Sequence, residues 1–338
     1  MTTSASPHSW LKPTAQGLYC EAGDFFIDPV VPVPRAVITH GHGDHARPGN
    51  GQVLATQETL AIMRRRLGDD AGGTLQAQGY RQPIRVGDVT LRLLPAGHVL
   101  GSAQVVLEHG GARVTVSGDY KRRFDPTCAA FEPEPCDVFV TEATFGLPVF
   151  RHPPDAQEIE KLLHSMRLYP ERCHLIGVYP LGKCQRLLSL LRRRGYGEPV
   201  YLHGALMGLC ALYEEHGIAL GPLLPATGPS RDALKGRLVL APPGAFAEIW
   251  SRRLPDPVAA IASGWMRVKQ RAKASGVELP LVISDHADWD ELWATIEEVG
   301  ASEIWITHGT EEAMLRQATL KGLKARALSL RGFEDDEQ

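Results

Sequence analysis

The chain has 338 residues, with 36 lysines and arginines against 39 aspartates and glutamates, for a formal net charge of -3. That balance lacks the basic footprint of a dedicated nucleic-acid-binding domain. With 43% hydrophobic and 22% charged residues, and no apolar run near the roughly 18 residues of a membrane span, composition predicts a soluble enzyme of one large or two intimately joined domains, with no membrane partner.

The opening stretch, "MTTSASPHSWLKPTAQG", has neither a basic start nor an apolar segment, so no secretory signal is expected and the location predicted is cytoplasmic. Short β-runs follow, punctuated by glycine and proline: "DFFID", "AVITH", "QVLAT", "VTLRLLPAG", "AQVVLEH", "ARVTVSGD" and "DVFVTEAT". "QVVLEH" and "ARVTVSGD" flank Gly110-Gly111, the signature of a hairpin with a primed turn. "TQETLAIMRRRLG" has helical spacing and a cap at Thr56. From about residue 150 helix and strand alternate, through "DAQEIEKLLHSMRLY", "HLIGVYP", "GKCQRLLSLLRRRG", "PVYLHG" and "ALMGLCALYEEHG", which predicts an α/β unit with a parallel sheet. Pro- and Gly-rich connections and the strand "AAIASGW" follow. The last sixty residues read as strand, motif and helix: "LPLVISDH", "DWDELWATIEEVG", "EIWITHGT", "EEAMLRQATLKG" and "ARALSL". The acidic end "EDDEQ" reads as disordered. Six cysteines without a C-x-x-C pair read as reduced thiols, not as a zinc knuckle or a disulfide framework.

"VITHGHGDHARPG" places His40, His42, Asp44 and His45 within six positions. A histidine-rich tract of this density signals metal binding. Other apolar runs also end on ligand-type side chains: His98 after "LRLLPAG", Asp119 after "VTVSG", Glu142 in "VFVTE", His286 after "LVISD" and His308 after "IWIT". Six of the thirteen histidines fall in these positions, where a sheet can hold chemistry on its loops. Residues i and i+2 of an extended segment point to the same side, so His40 and His42 can share one metal with His98. Asp44 and His45 are then available to a second metal with His308, and Asp119 can bridge the two. Two divalent ions roughly 4 Å apart favour phosphoryl hydrolysis, activating water and steadying the attacking and leaving oxygens. Zinc and manganese both suit such a donor set.

This constellation resembles the metallo-β-lactamase fold, and the distal motifs "TEATFG", "ISDHADW" and "ITHG" resemble those of its β-CASP nucleic-acid-processing branch. "GVYPLGKCQRLLSLL" and "AIASGWM" resemble segments of the β-CASP insert. More narrowly, the chain is similar to the bacterial ligase-associated DNA exonucleases. The resemblance implies a four-layer αββα sandwich formed by residues 1–147 and 277–338, interrupted by a β-CASP α/β domain at 148–276. It implies a two-metal DNA nuclease working in repair, with an ATP-dependent DNA ligase and a helicase as partners. His286 would be the general acid, oriented by Glu142, with His308 a metal ligand and Asp28 supporting the metal loop from behind. On this reading catalysis rests on His286, Glu142, Asp44 and Asp119, and the ligands are His40, His42, Asp44, His45, His98, Asp119 and His308.

Basic residues clump at 64–66, 121–123, 192–194 and 267–273. Each reads as a solvated face, except that Lys121 and Arg122 follow the bridging aspartate and are candidates for phosphate contacts. "GVYPLGKC" nearly spells a phosphate-binding loop, but Cys184 replaces the metal-binding hydroxyl and Pro180 removes an N–H. A structural turn is the better reading, with Lys183 facing nucleic acid. Three function classes stay open on the residues alone: a nuclease acting on DNA or else on RNA, a small-molecule metallo-hydrolase, and a silent binding module.

Overall fold

Local chemistry sets most element boundaries. The computed structural model describes residues 6–328 and 330; the acidic end lies outside them. The first strands are β1 (Leu11–Thr14), β2 (Gly17–Cys20), β3 (Phe25–Ile27), β4 (Arg35–Val37) and β5 (Gln52–Ala55). Between them and β6 (Thr74–Ala77) runs a helix over Gln57–Leu67, preceded in the chain by a single turn at Pro7–Trp10; these are α2 and α1. Thr56 caps α2, its hydroxyl accepting from the Thr59 N–H. Next come β7 (Ile84–Val86), β8 (Val89–Pro95), β9 (Ala103–His109), β10 (Ala112–Val116) and β11 (Val138–Ala143). Gly110 and Gly111, at φ +57° and +79°, make the tight turn joining β9 to β10, a backbone only glycine adopts cheaply at both positions.

The middle of the chain holds α3 (Asp155–Leu168), β12 (His174–Gly177), α4 (Lys183–Arg193), β13 (Val200–Leu202), α5 (Gly204–Glu215), β14 (Leu223–Pro225), β15 (Leu238–Ala241), β16 (Val258–Ala262), α6 (Lys269–Ala274) and β17 (Leu279–Leu281). The last stretch holds α7 (Trp289–Val299), β18 (Glu303–Gly309), α8 (Glu311–Leu320) and β19 (Lys324–Ala327). Strands β1, β2, β6, β7, β14 and β15 are additions to the sequence reading. Most are three or four residues long, too short for an alternating pattern to stand out.

The chain divides into two units, one running to Pro148 and resuming at His286, the other Val149–Asp285. The first contains a six-stranded sheet ordered β1-β2-β3-β4-β5-β6 and a seven-stranded sheet ordered β19-β18-β11-β10-β9-β8-β7. Their facing side chains form one core, with Leu18, Phe25 and Val37 from the first sheet among Leu91, Val105, Val116 and Trp305 from the second. On the outer face of the second sheet α7 and α8 bury Trp289, Leu292, Ile296 and Met314 against Phe139, Ile304 and Ile306. On the outer face of the first, α2 buries Leu60 and Met63 against Ala36, Ile38 and Val53. The layers are therefore helix, sheet, sheet, helix.

The second unit is built on an all-parallel sheet ordered β14-β13-β15-β12-β16-β17. Residues 277–285, expected with the closing part of the first domain, lie in this unit because β17 completes its backbone hydrogen bonds on β16. Among the described residues no helix is long and apolar enough to cross a membrane.

Candidate metal centre and acid dyad

In the second sheet β8, β10, β11 and β18 all run in the same direction, since β8 and β10 are each antiparallel to β9 and β10, β11 and β18 pair in parallel. Their C-terminal ends therefore open on one edge. His98, Asp119, Glu142 and His308 stand at that edge, the position where sheets commonly present functional groups. The loop after β4 supplies His40, His42, Asp44 and His45 to the same place. It is tied there by the Ala103 N–H, at the start of β9, donating to the Thr39 carbonyl at 2.8 Å.

His40, His42, His98 and Asp119 offer ligand atoms all within 4.8 Å of one another, and His45, Asp119 and His308 form a second such group. Asp119 belongs to both. Its Oδ2 lies 3.4 Å from His40 Nε2, 3.3 Å from His45 Nε2 and 3.8 Å from His98 Nε2, and His42 Nδ1 lies 3.0 Å from His98 Nε2. Asp44 falls beside the second group rather than within it, with Oδ2 3.5 Å from His45 Nε2.

Asp28 stands behind the loop. One carboxylate oxygen accepts the Thr39 N–H at 2.8 Å, while the other accepts the Thr39 hydroxyl at 2.6 Å and pairs with His45 Nδ1 at 2.8 Å. The Thr39 hydroxyl also meets His40 Nδ1 at 3.0 Å. Both rings are thus held by Nδ1 and turn Nε2 toward Asp119, the arrangement that orients imidazoles for a metal. Asp28 and His308 have φ of +44° and +56°, a backbone that side-chain-bearing residues adopt only where their surroundings over-determine it. Gly309 continues the turn at φ +91°, and a Cβ there would lie 2.1 Å from the Ala143 carbonyl oxygen, so the approach of β18 to β11 at this point requires glycine.

Charge is distributed to match. Burial would raise the Asp119 carboxyl, but the positive His45 beside it, with His40 close by, holds it well below the ordinary range. Burial also opposes charge on His45, yet the carboxylates of Asp119, Asp44 and Asp28 raise it well above the usual histidine value. Burial, reinforced by the charge of His45, pushes His40 far down and His308 to about 4. The result is one imidazolium, His45, against a buried carboxylate, with the neutral rings of His40 and His308 beside it. A divalent cation takes neutral imidazole nitrogens and a carboxylate, and it replaces the His45 proton while keeping positive charge beside Asp119. The donor set therefore fits two divalent ions.

A dyad adjoins the cluster. His286 Nδ1 pairs with Glu142 Oε2 at 3.0 Å, and the Tyr120 N–H donates to Glu142 Oε1 at 2.8 Å, so both oxygens of this fully buried carboxylate are engaged. The Ala287 N–H returns a hydrogen bond to the Tyr120 carbonyl at 2.6 Å. Asp119, Glu142 and His286 also offer ligand atoms within 4.8 Å.

Lys121 requires correction. The side chain of Lys121 is 1% exposed; its ammonium donates to the His286 carbonyl at 2.9 Å and lies 3.7 Å from Glu291, so it is spent inside the fold and is no phosphate contact. Arg122, by contrast, is partly exposed: it pairs with Glu298 at 2.5 Å and sits over the Phe131 ring, and its place as a phosphate contact stays a proposal. Lys183, like Lys121, is buried, 3.1 Å from Asp285 and over the Tyr179 ring, and does not face a polyanion. The anchoring of the dyad by Lys121 left no sequence signal, because a lysine within "YKRR" reads as solvated.

No family model matches the chain. Over 324 residues, 94% of its length, it is 29% identical to a protein of Opitutus terrae named a probable DNA ligase, of which it covers 31%. Over 129 residues, 37% of its length, it is 32% identical to the cleavage and polyadenylation specificity factor subunit 3 of Dictyostelium discoideum, covering 16% of that protein. Over 223 residues, 53% of its length, it is 28% identical to the endoribonuclease YSH1 of Yarrowia lipolytica, covering 26%. The chain thus spans about a third or less of these curated relatives. A solved structure of a protein of unknown function from Enterococcus faecalis V583 superposes with a TM-score of 0.56 at 15% identity, over 88% of this chain and 79% of that one, a likeness of fold.

Proposed function

We propose that the chain is a two-metal phosphodiester hydrolase acting on nucleic acid, with DNA as its substrate, and that its first unit is a metallo-β-lactamase sandwich interrupted by a β-CASP domain. The observation that carries this reading is the Glu142–His286 dyad set against two ligand groups that share Asp119. A hydrolase of small activated substrates has less need of a dedicated acid, whereas the alkoxide leaving from a phosphodiester requires a proton.

Two divalent ions, zinc or manganese, would be held by His40, His42, His98 and Asp119 and by Asp44, His45, Asp119 and His308, supplying water activation and charge neutralisation at the scissile phosphate. The remaining work belongs to the chain. Asp28 and Thr39 fix the rings of His45 and His40. Glu142 occupies His286 Nδ1, leaving Nε2 as the ring atom that delivers a proton to the leaving oxygen. Glu142 thereby positions the acid.

Similarity across 94% of the chain to a protein named a probable DNA ligase supports DNA as substrate and a ligase as partner; a repair setting and a helicase partner belong to the proposal on the sequence resemblance alone. The relatives named for RNA cleavage favour the second reading, a ribonuclease. End-labelled single-stranded DNA and RNA of the same sequence, incubated with manganese or zinc, separate the two, with Asp119→Ala as control. Metal-dependent cutting of DNA that the variant loses is expected. Cutting of RNA alone would transfer the chain to the second reading, and cutting of neither would refute the nuclease proposal.

A further inference from the structure

The second unit carries a cavity of about 460 Å³ beside the loop after β14, formed wholly from residues of that unit. Its size is that of a small-ligand site. The charged side chains lining it are all arginines, Arg231, Arg252 and Arg253, and no carboxylate lines it. None of the three forms an ion pair among the described residues. In a chain with more acidic than basic groups, three guanidiniums lining one cavity with no carboxylate in its wall, Asp232 beside Arg231 lying outside it, make the cavity attractive to an anion.

The wall contributes a second kind of recognition. Trp250 stacks on His203, ring centroids 5.2 Å apart and planes 18° from parallel. The Trp250 indole N–H is buried and has no hydrogen-bond acceptor. An indole N–H is a donor only, and buried donors are ordinarily satisfied, so this one is suited to an acceptor arriving with a ligand. Guanidiniums bind phosphates in a planar fork, while an aromatic pair with a spare donor suits a base free of its own stack. A duplex keeps its bases stacked inside; a single strand exposes them.

We propose that this cavity is a subsite for single-stranded nucleic acid, with phosphodiesters on Arg231, Arg252 and Arg253 and a base against Trp250. The inference rests on the reading of the chain as a nuclease and adds to it a strand-holding site remote in sequence from every proposed metal ligand. It takes the role that sequence analysis gave to the buried Lys121 and Lys183.

The test is equilibrium binding of fluorescein-labelled oligothymidylate to the full chain in EDTA, where no cleavage occurs, across a salt series. Arg231→Ala/Arg252→Ala/Arg253→Ala, checked for folding by circular dichroism, is expected to bind at least tenfold more weakly. Its salt slope should be smaller by about two, from roughly 0.7 per phosphate contact on a single strand. Trp250→Leu is expected to lose at least about fivefold with its salt slope intact, as removal of a stacking ring does. A duplex of the same length should discriminate little between wild type and either variant. Oligothymidylate binding by the triple variant with wild-type affinity and slope would overturn the subsite while leaving the nuclease reading standing. Absence of binding by the wild type, together with absence of metal-dependent cutting, would remove both.

Discussion

Replacing Glu142 with glutamine tests the dyad at constant shape. The amide oxygen still accepts the Tyr120 N–H, but the NH2 group now faces His286 Nδ1 and reverses the polarity of a 3.0 Å hydrogen bond. At that separation and an effective dielectric of about 20, carboxylate and imidazolium attract by about 5 to 6 kcal/mol, an upper bound on what is lost. Deletion of hydrogen bonds to charged groups costs about 1.5 to 3 kcal/mol. With each 1.36 kcal/mol worth a factor of ten, turnover should fall about 10- to 150-fold by the smaller figure and more if the acid also adopts the wrong tautomer. Metal content, measured by elemental analysis beside steady-state cleavage, should not change, because both Glu142 oxygens are already committed to Tyr120 and His286. Loss of one metal equivalent from Glu142→Gln would refute the reasoning, since it would make Asp119, Glu142 and His286 a ligand set in their own right. Unchanged turnover would refute it from the other side.

Asp119→Ala should lower bound metal at both positions, whereas His42→Ala should affect one; equal stoichiometry in the two variants would deny that Asp119 is shared. Lys121→Met should destabilise the fold by about 1 to 3 kcal/mol in denaturant titration, because it leaves the buried His286 carbonyl without its donor, while Glu291 keeps Arg123 and the Asp288 N–H. A stable variant with weakened substrate binding would return Lys121 to phosphate contact. His174, fully buried in β12 with Nε2 2.9 Å from the Ser165 hydroxyl, is held below the ordinary histidine value by burial. Its contribution to stability is therefore full above about pH 6.5 and shrinks as pH falls, by at most about 1.4 kcal/mol per unit, because the unfolded state takes up the proton first. The stability difference between wild type and His174→Gln should narrow from neutral pH to about pH 5, and a constant difference would contradict the assignment.

Features written within a few residues were readable in advance. The spacing of His40, His42, Asp44 and His45 draws attention to the loop, Gly110-Gly111 fixes a hairpin, and Thr56 marks a helix start. The structure brings His98, Asp119, Glu142, His286 and His308 to the same edge, and their shared place at the ends of apolar runs is the sequence trace of that edge. What was illegible depends on distant partners. Lys121 is bonded to a carbonyl 165 positions away, so its immediate neighbours, two arginines, point to the opposite environment. Lys183 and Arg186 are buried against Asp285 and Asp155 for the same reason, a local reading having no access to a remote counter-charge. The left-handed backbone at Asp28 and His308 follows from packing, and nothing in their composition announces it.

The order of the chain also times its own assembly. Glu142 and His286 are 144 positions apart, with the whole second unit between them, and β18 pairs with β11 only after that, β19 following on its other side. At translation rates of about 5 to 20 residues per second, His286 leaves the ribosome about 7 to 30 s after Glu142. For that interval the nascent chain displays the histidine loop without the dyad, and β11 keeps an open apolar edge that another strand can capture. On the proposed reading, the growing chain thus lacks His286 and His308 throughout this interval, and its hazard is strand capture at β11 rather than premature cutting.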